Sequence, residues 1–196
     1  SIDDVAVALI KKIRGSGITD CILIGHSLGG YVALAMVRID PGIFSGLVLF
    51  HSTALADSTE KKENRNKVLD FVDRHGVLAF TGSFIPPLFA NQKHPAIGEA
   101  RKIAVGASTE SVIGYTKAMR DRKDHTEVLK QFHKPVLMIG GDKDQGIPPL
   151  SLAEQGQLSP IIKVQIMKDV AHMGMFENTH ETVRLIQDFI NECNRQ

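Results

Sequence analysis

The sequence predicts an α/β fold: a mostly parallel sheet with helices on both faces, interrupted by an inserted helical cap. Three observations predict it. Short apolar runs at residues 21–24, 46–50, 135–139 and 161–167 are bounded by turn residues, as strands of a buried parallel sheet are. Helical patterns stand between these runs, and strand–helix repeats imply parallel strands covered on both sides. Residues 51–132 break the alternation with successive helical patterns and no convincing strand. The core is therefore assigned to residues 1–50 and 133–196, and the cap to residues 51–132.

The elements follow in order. Ile2, Val5, Ala6, Leu9, Ile10 and Ile13 recur at helical spacing, and Asp3 and Asp4 suit the start of that helix. Gly15 and Gly17 end it. The run CILI at residues 21–24 is the first strand, expected to be buried on both faces. A helix over residues 28–39 stops at Asp40-Pro41-Gly42, and residues 46–50 form the second strand. Within the cap, Val68, Leu69 and Val72 mark one helix face and residues 77–80 begin another helix. Residues 83–89 (SFIPPLF) make an apolar turn, and residues 97–105 and 111–119 read as helical. Strands at 135–139 and 161–167 flank a helix over 150–158. An amphipathic helix over 179–193 closes the chain, with Val183, Ile186, Phe189 and Ile190 on one side.

Composition limits the partners. Of 196 residues, 43% are hydrophobic and 23% charged, so one well-buried core is affordable and a disordered chain is excluded. The net charge of +1 supplies no field to recruit nucleic acid or an anionic membrane. Lys and Arg are interspersed with Asp and Glu even in the most charged stretch, residues 57–74. The two cysteines, Cys21 and Cys193, form neither a disulfide framework nor a metal spacing. They fit a reducing compartment, so a cytoplasmic location is expected. No apolar run reaches membrane-spanning length. Oligomerisation stays open.

Gly25-His26-Ser27-Leu28-Gly29, followed by Gly30, matches the G-x-S-x-G nucleophile elbow, with a strand before it and a helix after it. The glycines let the backbone pass close by in a strained turn that presents Ser27. The Leu28 N–H, at a helix N-terminus, is placed to donate to a developing oxyanion. The spacing does not fit a dinucleotide-binding G-x-G-x-x-G turn.

A serine hydroxyl needs a base, and the base needs an orienting partner. The loops after the third and fourth strands supply candidates in the chain order serine, acid, histidine. The first is Gly140-Gly141-Asp142-Lys143-Asp144; the second is Asp169-Val170-Ala171-His172-Met173-Gly174. Asp144, deeper in its loop, is favoured over Asp142, which suits a turn cap, and over Asp169. Among eight histidines, His172 stands in the loop directly after the last strand. His26 lies inside the elbow, where it packs or hydrogen-bonds beneath the turn and is a candidate pocket contact. His51 ends the second strand and reads equally as pocket wall or structural residue. Phe80, Phe84, Ile85, Leu88, Phe89 and Met119 of the cap, with Met173, are the apolar candidates for the walls.

These motifs together resemble the α/β-hydrolase superfamily, in its cap-bearing branch of small esterases, enol-lactonases, carbon–carbon bond hydrolases and haloperoxidase-like enzymes. The resemblance rests on GHSLGG after a strand, the G-x-x-D loop from Gly141 to Asp144, and Ala171-His172-Met173 followed by Phe176-Glu177. It implies a cofactor-free, metal-free serine hydrolase, with Ser27, His172 and Asp144 as the triad and a small ester-like molecule as substrate. Acyltransferase, perhydrolase and carbon–carbon hydrolase chemistry use the same triad, and a ligand receptor of low turnover uses the same fold. The family's order of elements would place roughly 60 further residues ahead of Ser1, with strands and the second oxyanion donor. A further N-terminal segment is therefore expected to complete the sheet beside residues 21–24.

Overall fold

The computed structural model describes residues 1–195. Its described sheet has four parallel strands in the order β1 (Cys21–His26), β2 (Phe44–Phe50), β3 (Val136–Gly141) and β4 (Ile162–Met167). Helices cover both faces. Leu47, Leu49, Val136 and Met138 point to one side, into a core shared with α1 (Ile2–Gly15), α2 (Leu28–Ile39), α6 (Thr126–Gln131) and α7 (Pro149–Gly156). The alternate residues Val48, Phe50, Leu137 and Ile139 point to the other, against Leu185, Phe189 and Cys193 of α9 (Thr179–Cys193). Side chains alternate across a strand, so burial on both faces makes β2 and β3 apolar throughout.

The outer strands differ. β1 was expected to be buried on both faces; instead Cys21, Ile22 and Leu23 are half-buried and Ile24 is 47% exposed. The reason is its position: β1 pairs with β2 on one side, and no described strand lies along its other edge. β4 also lies at an edge and shows Lys163, Gln165 and Ile166 to solvent.

Between β2 and β3 the described residues form helices and turns and no strand: α3 (Thr59–Phe84), α4 (Ile97–Ala104), α5 (Thr109–Arg120) and α6. Gly76, at φ 74°, breaks α3 where the sequence begins a new helical pattern; a positive φ is cheap only for glycine. Ile85, Phe89, Ile97 and Ala100 build a small core of their own between these helices. At the far end of the segment, Leu129 and Phe132 belong to the principal core instead. α8 (Gly174–Glu177) is a single turn ahead of α9. No described helix is long and apolar enough to cross a membrane.

Candidate active site

The loops that follow β1, β2, β3 and β4 leave the same end of a parallel sheet, and the candidate residues meet there. Ser27 sits between β1 and α2 at φ 51° and ψ −117°, in the left-handed region that side chains seldom occupy. Neighbouring groups hold it in this conformation. Its N–H donates to the Phe50 carbonyl at 2.9 Å, and its carbonyl accepts from Gly30 N–H at 2.9 Å and Ser52 Oγ at 2.8 Å. Two glycines make the turn passable. A Cβ on Gly25 would lie 2.5 Å from Gly30 N, and one on Gly30 would overlap Ser52 Oγ. Leu28 opens α2, where backbone N–H groups have no partner within the helix.

Ser27 Oγ lies 2.9 Å from His172 Nε2, and His172 Nδ1 lies 2.7 Å from Asp144 Oδ2. The carboxylate can only accept, so His172 carries its proton on Nδ1 and turns a lone pair toward the serine hydroxyl. Asp144 is held from behind as well: Oδ1 accepts from the N–H groups of Gly146 at 2.9 Å and Ile147 at 3.0 Å. Burial raises the Asp144 carboxyl, but the hydrogen bonds from His172, His51 and Ile147 N–H outweigh it and hold it well below the usual carboxylate range. The competing carboxylates stand apart from the histidine. Asp142 has its Oδ2 3.5 Å from Lys143 and a buried Oδ1 without a partner among the described residues. Asp169 occupies a left-handed turn at φ 57°.

Two further histidines surround this relay. His51 is fully buried, and its Nδ1 lies 3.2 Å from the same Asp144 Oδ2 that accepts from His172. Of the two readings open for it, pocket wall or structural residue, the second fits its place behind the carboxylate, on a left-handed backbone at φ 46°. Burial pushes the His51 imidazole down in spite of Asp144, so it is neutral and donates from Nδ1. His26 Nε2 lies 2.9 Å from the His172 carbonyl oxygen. Burial pushes His26 down to about 4, so it too is neutral and donates through Nε2. The His172 loop is fixed by Glu177, a residue to which the sequence reading gave no role: its Oε2 accepts from Ala171 N–H at 3.0 Å and Met173 N–H at 3.2 Å. The Leu88 carbonyl accepts from His172 N–H at 2.9 Å and ties this loop to the helical segment.

His51, Asp144 and His172 offer three atoms within 4.8 Å of one another, the spacing of a metal site. Here both Nδ1 atoms already donate to the shared oxygen, and Gly174 runs so close to the ring that a Cβ there would lie 2.7 Å from His51 Nε2. A metal would have to replace those protons.

The profile of the alpha/beta hydrolase family matches residues 1–185. The chain belongs to this family. Among solved structures, this α/β hydrolase is similar to a thermophilic esterase from Thermogutta terrifontis, solved with malate bound. The two share 27% identity and a TM-score of 0.91 over 98% of this chain and 73% of the esterase. It shares the fold of the enol-lactonase from Burkholderia xenovorans LB400, at 18% identity and a TM-score of 0.87 over 97% of this chain and 73% of the other. By sequence it is 24% identical to Lipase 1 of Psychrobacter immobilis over 89% of this chain and 57% of the lipase. The chain spans less than two thirds of the length of that lipase, and 65% of a Bacillus subtilis relative.

Over the relay this α/β hydrolase carries a cavity of about 480 Å³, with Ser27, Leu28 and His172 on its wall. Of the candidate pocket residues, Phe84, Leu88 and Met119 line it, beside Ile147. Six others do not. Phe80 is not on its wall, and Ile85 lies in the helical segment's small core. His26 and His51 lie beneath, bonded to the His172 carbonyl and the Asp144 carboxylate. Phe89 is buried in the helical segment's own core, with Met173 against it. A short amphipathic segment must fill its own interior, and these apolar side chains are spent there. In their place the cavity carries Tyr31 of α2 and Asp57, Lys61, Asn64 and Arg65 from the stretch of mixed charge over residues 57–74.

Proposed function

We propose that this chain is a serine hydrolase that cleaves small or medium carboxylic esters, lactones or thioesters through an acyl-enzyme. The observation that carries the reading is the continuous relay from Ser27 Oγ through His172 to Asp144, opening into a cavity. In this mechanism His172 Nε2 takes the Ser27 proton as Oγ attacks the carbonyl carbon. The Leu28 N–H donates to the oxyanion at the start of α2. Asp144 stabilises the imidazolium that forms, and His172 then returns the proton to the leaving oxygen. Water, deprotonated by His172, releases the acid. The cavity falls in the range of ordinary small-molecule sites, which supports compact substrates over long lipid chains. The similarity to an esterase and a lipase supports ester cleavage.

A fluorophosphonate probe tests the reading. Ser27 should be the labelled residue, and Ser27→Ala should abolish labelling and lower ester turnover by several orders of magnitude. Across a p-nitrophenyl ester series, short acyl chains should outpace long ones. Labelling at another serine, or hydrolysis that survives the substitution, would end the proposal.

A further inference from the structure

We propose that the substrate carries a second, anionic group, a carboxylate, which Lys61 and Arg65 of α3 hold while its ester or lactone carbonyl faces Ser27. The inference rests on the reading of Ser27 as nucleophile and adds the substrate class to it. It starts from which face of α3 meets the cavity. Lys61, Asn64, Arg65 and Val68 stand three and four residues apart, one stripe of a helix, and all four line the same cavity as Ser27 and His172. A helix laid over an apolar site turns its apolar stripe inward. This one turns two cations and an amide.

Both carboxylates on the wall of this space, Asp57 and Asp144, are already committed. Asp57 is buried and holds Arg122 through Oδ1 at 2.7 Å and Arg65 Nε through Oδ2 at 3.1 Å. Arg122 is fully engaged: it also donates to the carbonyls of Leu55 and Met119 and lies 4.0 Å from the Tyr31 ring centroid. One carboxylate thus faces two guanidiniums, and no further hydrogen bond of the Arg65 guanidinium is made among the described residues. Lys61 Nζ donates to the Gly146 carbonyl at 2.9 Å, leaving two ammonium hydrogens. Burial pushes the Lys61 ammonium down, with Asp57 opposing. The remaining carboxylate, Asp144, is committed to His172, His51 and two backbone N–H groups. Counting Arg122, which is buried behind Asp57 and off the cavity wall, the cluster of Asp57, Asp144, Lys61, Arg65 and Arg122 has one positive charge in excess, and the unused donors lie on α3. A bound carboxylate can take the N–H donors that these two cations leave unused, in charge-assisted hydrogen bonds. The Gly146 contact also sets the Lys61 ammonium on the loop that carries Asp144, close to the reacting end of the cavity. Leu28, Phe84, Leu88, Met119 and Ile147 supply the apolar wall for the carbon chain between the two ends.

The experiment compares pairs of equal chain length at low ionic strength: monoethyl succinate with ethyl butyrate, monoethyl glutarate with ethyl valerate, monoethyl adipate with ethyl hexanoate. Acid release is followed by titration. At one length at least, the anionic ester should have the higher kcat/KM, and the ratio should drop at least tenfold in Lys61→Met and in Arg65→Met. Lys61 is exposed along much of its length, so its substitution spares the fold even if loss of the Arg65–Asp57 pair does not. A neutral ester preferred at every length, or a ratio that falls by less than tenfold in both variants, overturns the proposal. Fluorophosphonate labelling reports separately on Ser27. If labelling fails, the subsite is still read by thermal shift: glutarate should raise the melting temperature of the parent protein and not of the variants, and equal shifts in all three overturn it.

Discussion

Asp144→Asn changes one heavy atom and leaves no orientation that satisfies every neighbour of the side chain. The carboxylate accepts four hydrogen bonds: Gly146 and Ile147 N–H on Oδ1, His172 and His51 Nδ1 on Oδ2. An amide cannot accept on both sides. If its oxygen stays on the two backbone N–H groups, its NH₂ meets two imidazole N–H groups. His172 then relieves the clash by moving its proton to Nε2, which lies 2.9 Å from Ser27 Oγ. In that tautomer the imidazole has no lone pair for the serine proton. Wrong-tautomer loss in such relays is worth about 10⁴-fold in kcat, which corresponds to ~5 kcal/mol of barrier. KM should stay within a few-fold, because asparagine keeps the size and place of the side chain on the cavity wall. The assay is steady-state hydrolysis of a short p-nitrophenyl ester, with circular dichroism to show that the variant is folded. A folded Asp144→Asn protein that keeps more than about a tenth of the parent kcat would refute the reasoning. So would a larger loss in Asp142→Asn, whose carboxylate meets Lys143 and no histidine.

His51 should act through Asp144 and not on substrate: His51→Ala is expected to lower kcat about tenfold, ~1.4 kcal/mol of barrier, with KM unchanged. His51→Asn, which keeps an amide donor and tolerates positive φ, should recover much of it; a raised KM at constant kcat would put His51 on the substrate after all. Stability should fall on acidification. His26, at about 4 in the fold, and His51, also lowered, are neutral when folded and take up protons on unfolding. Their contribution is therefore complete above about pH 6.5 and is lost as pH falls toward 4, by ~3 kcal/mol for His26 alone. Asp144, depressed in the fold, contributes above about pH 4 and loses its contribution below that. Urea unfolding at pH 7.5, 6 and 5 should show this slope, and His26→Gln should flatten it; equal midpoints at the three pH values would refute the assignment.

Much of the fold is legible because β2 and β3 are buried on both faces and so read as unbroken apolar runs. The relay is legible through its loops, since a serine in a glycine-flanked turn and a histidine after the last strand have few competing explanations. Choosing Asp144 over Asp142 needed only its depth in the loop, and Asp144 is the one that reaches His172. His51 was not legible: a histidine after a strand looks the same whether its ring faces a cavity or a carboxylate. Lys61 and Arg65 sit in a stretch of mixed charge, and sequence spacing cannot tell a stripe turned to water from one turned to a cavity. Phe89 failed for the opposite reason, since an apolar residue near a site is equally at home in the interior of the helices that cover it.

Gly25 and Gly30 fix the path of the chain through the turn, and neither contact involves the Ser27 side chain. Shape and reactivity are thus inherited separately at this point. A substitution at either glycine meets backbone or Ser52 and must be compensated elsewhere before it can persist. A substitution at residue 27 inherits a ready-made pedestal: cysteine or aspartate placed there would take the same half-buried position, facing the same histidine. The turn sets where the group stands, and the single side chain on it sets what chemistry stands there.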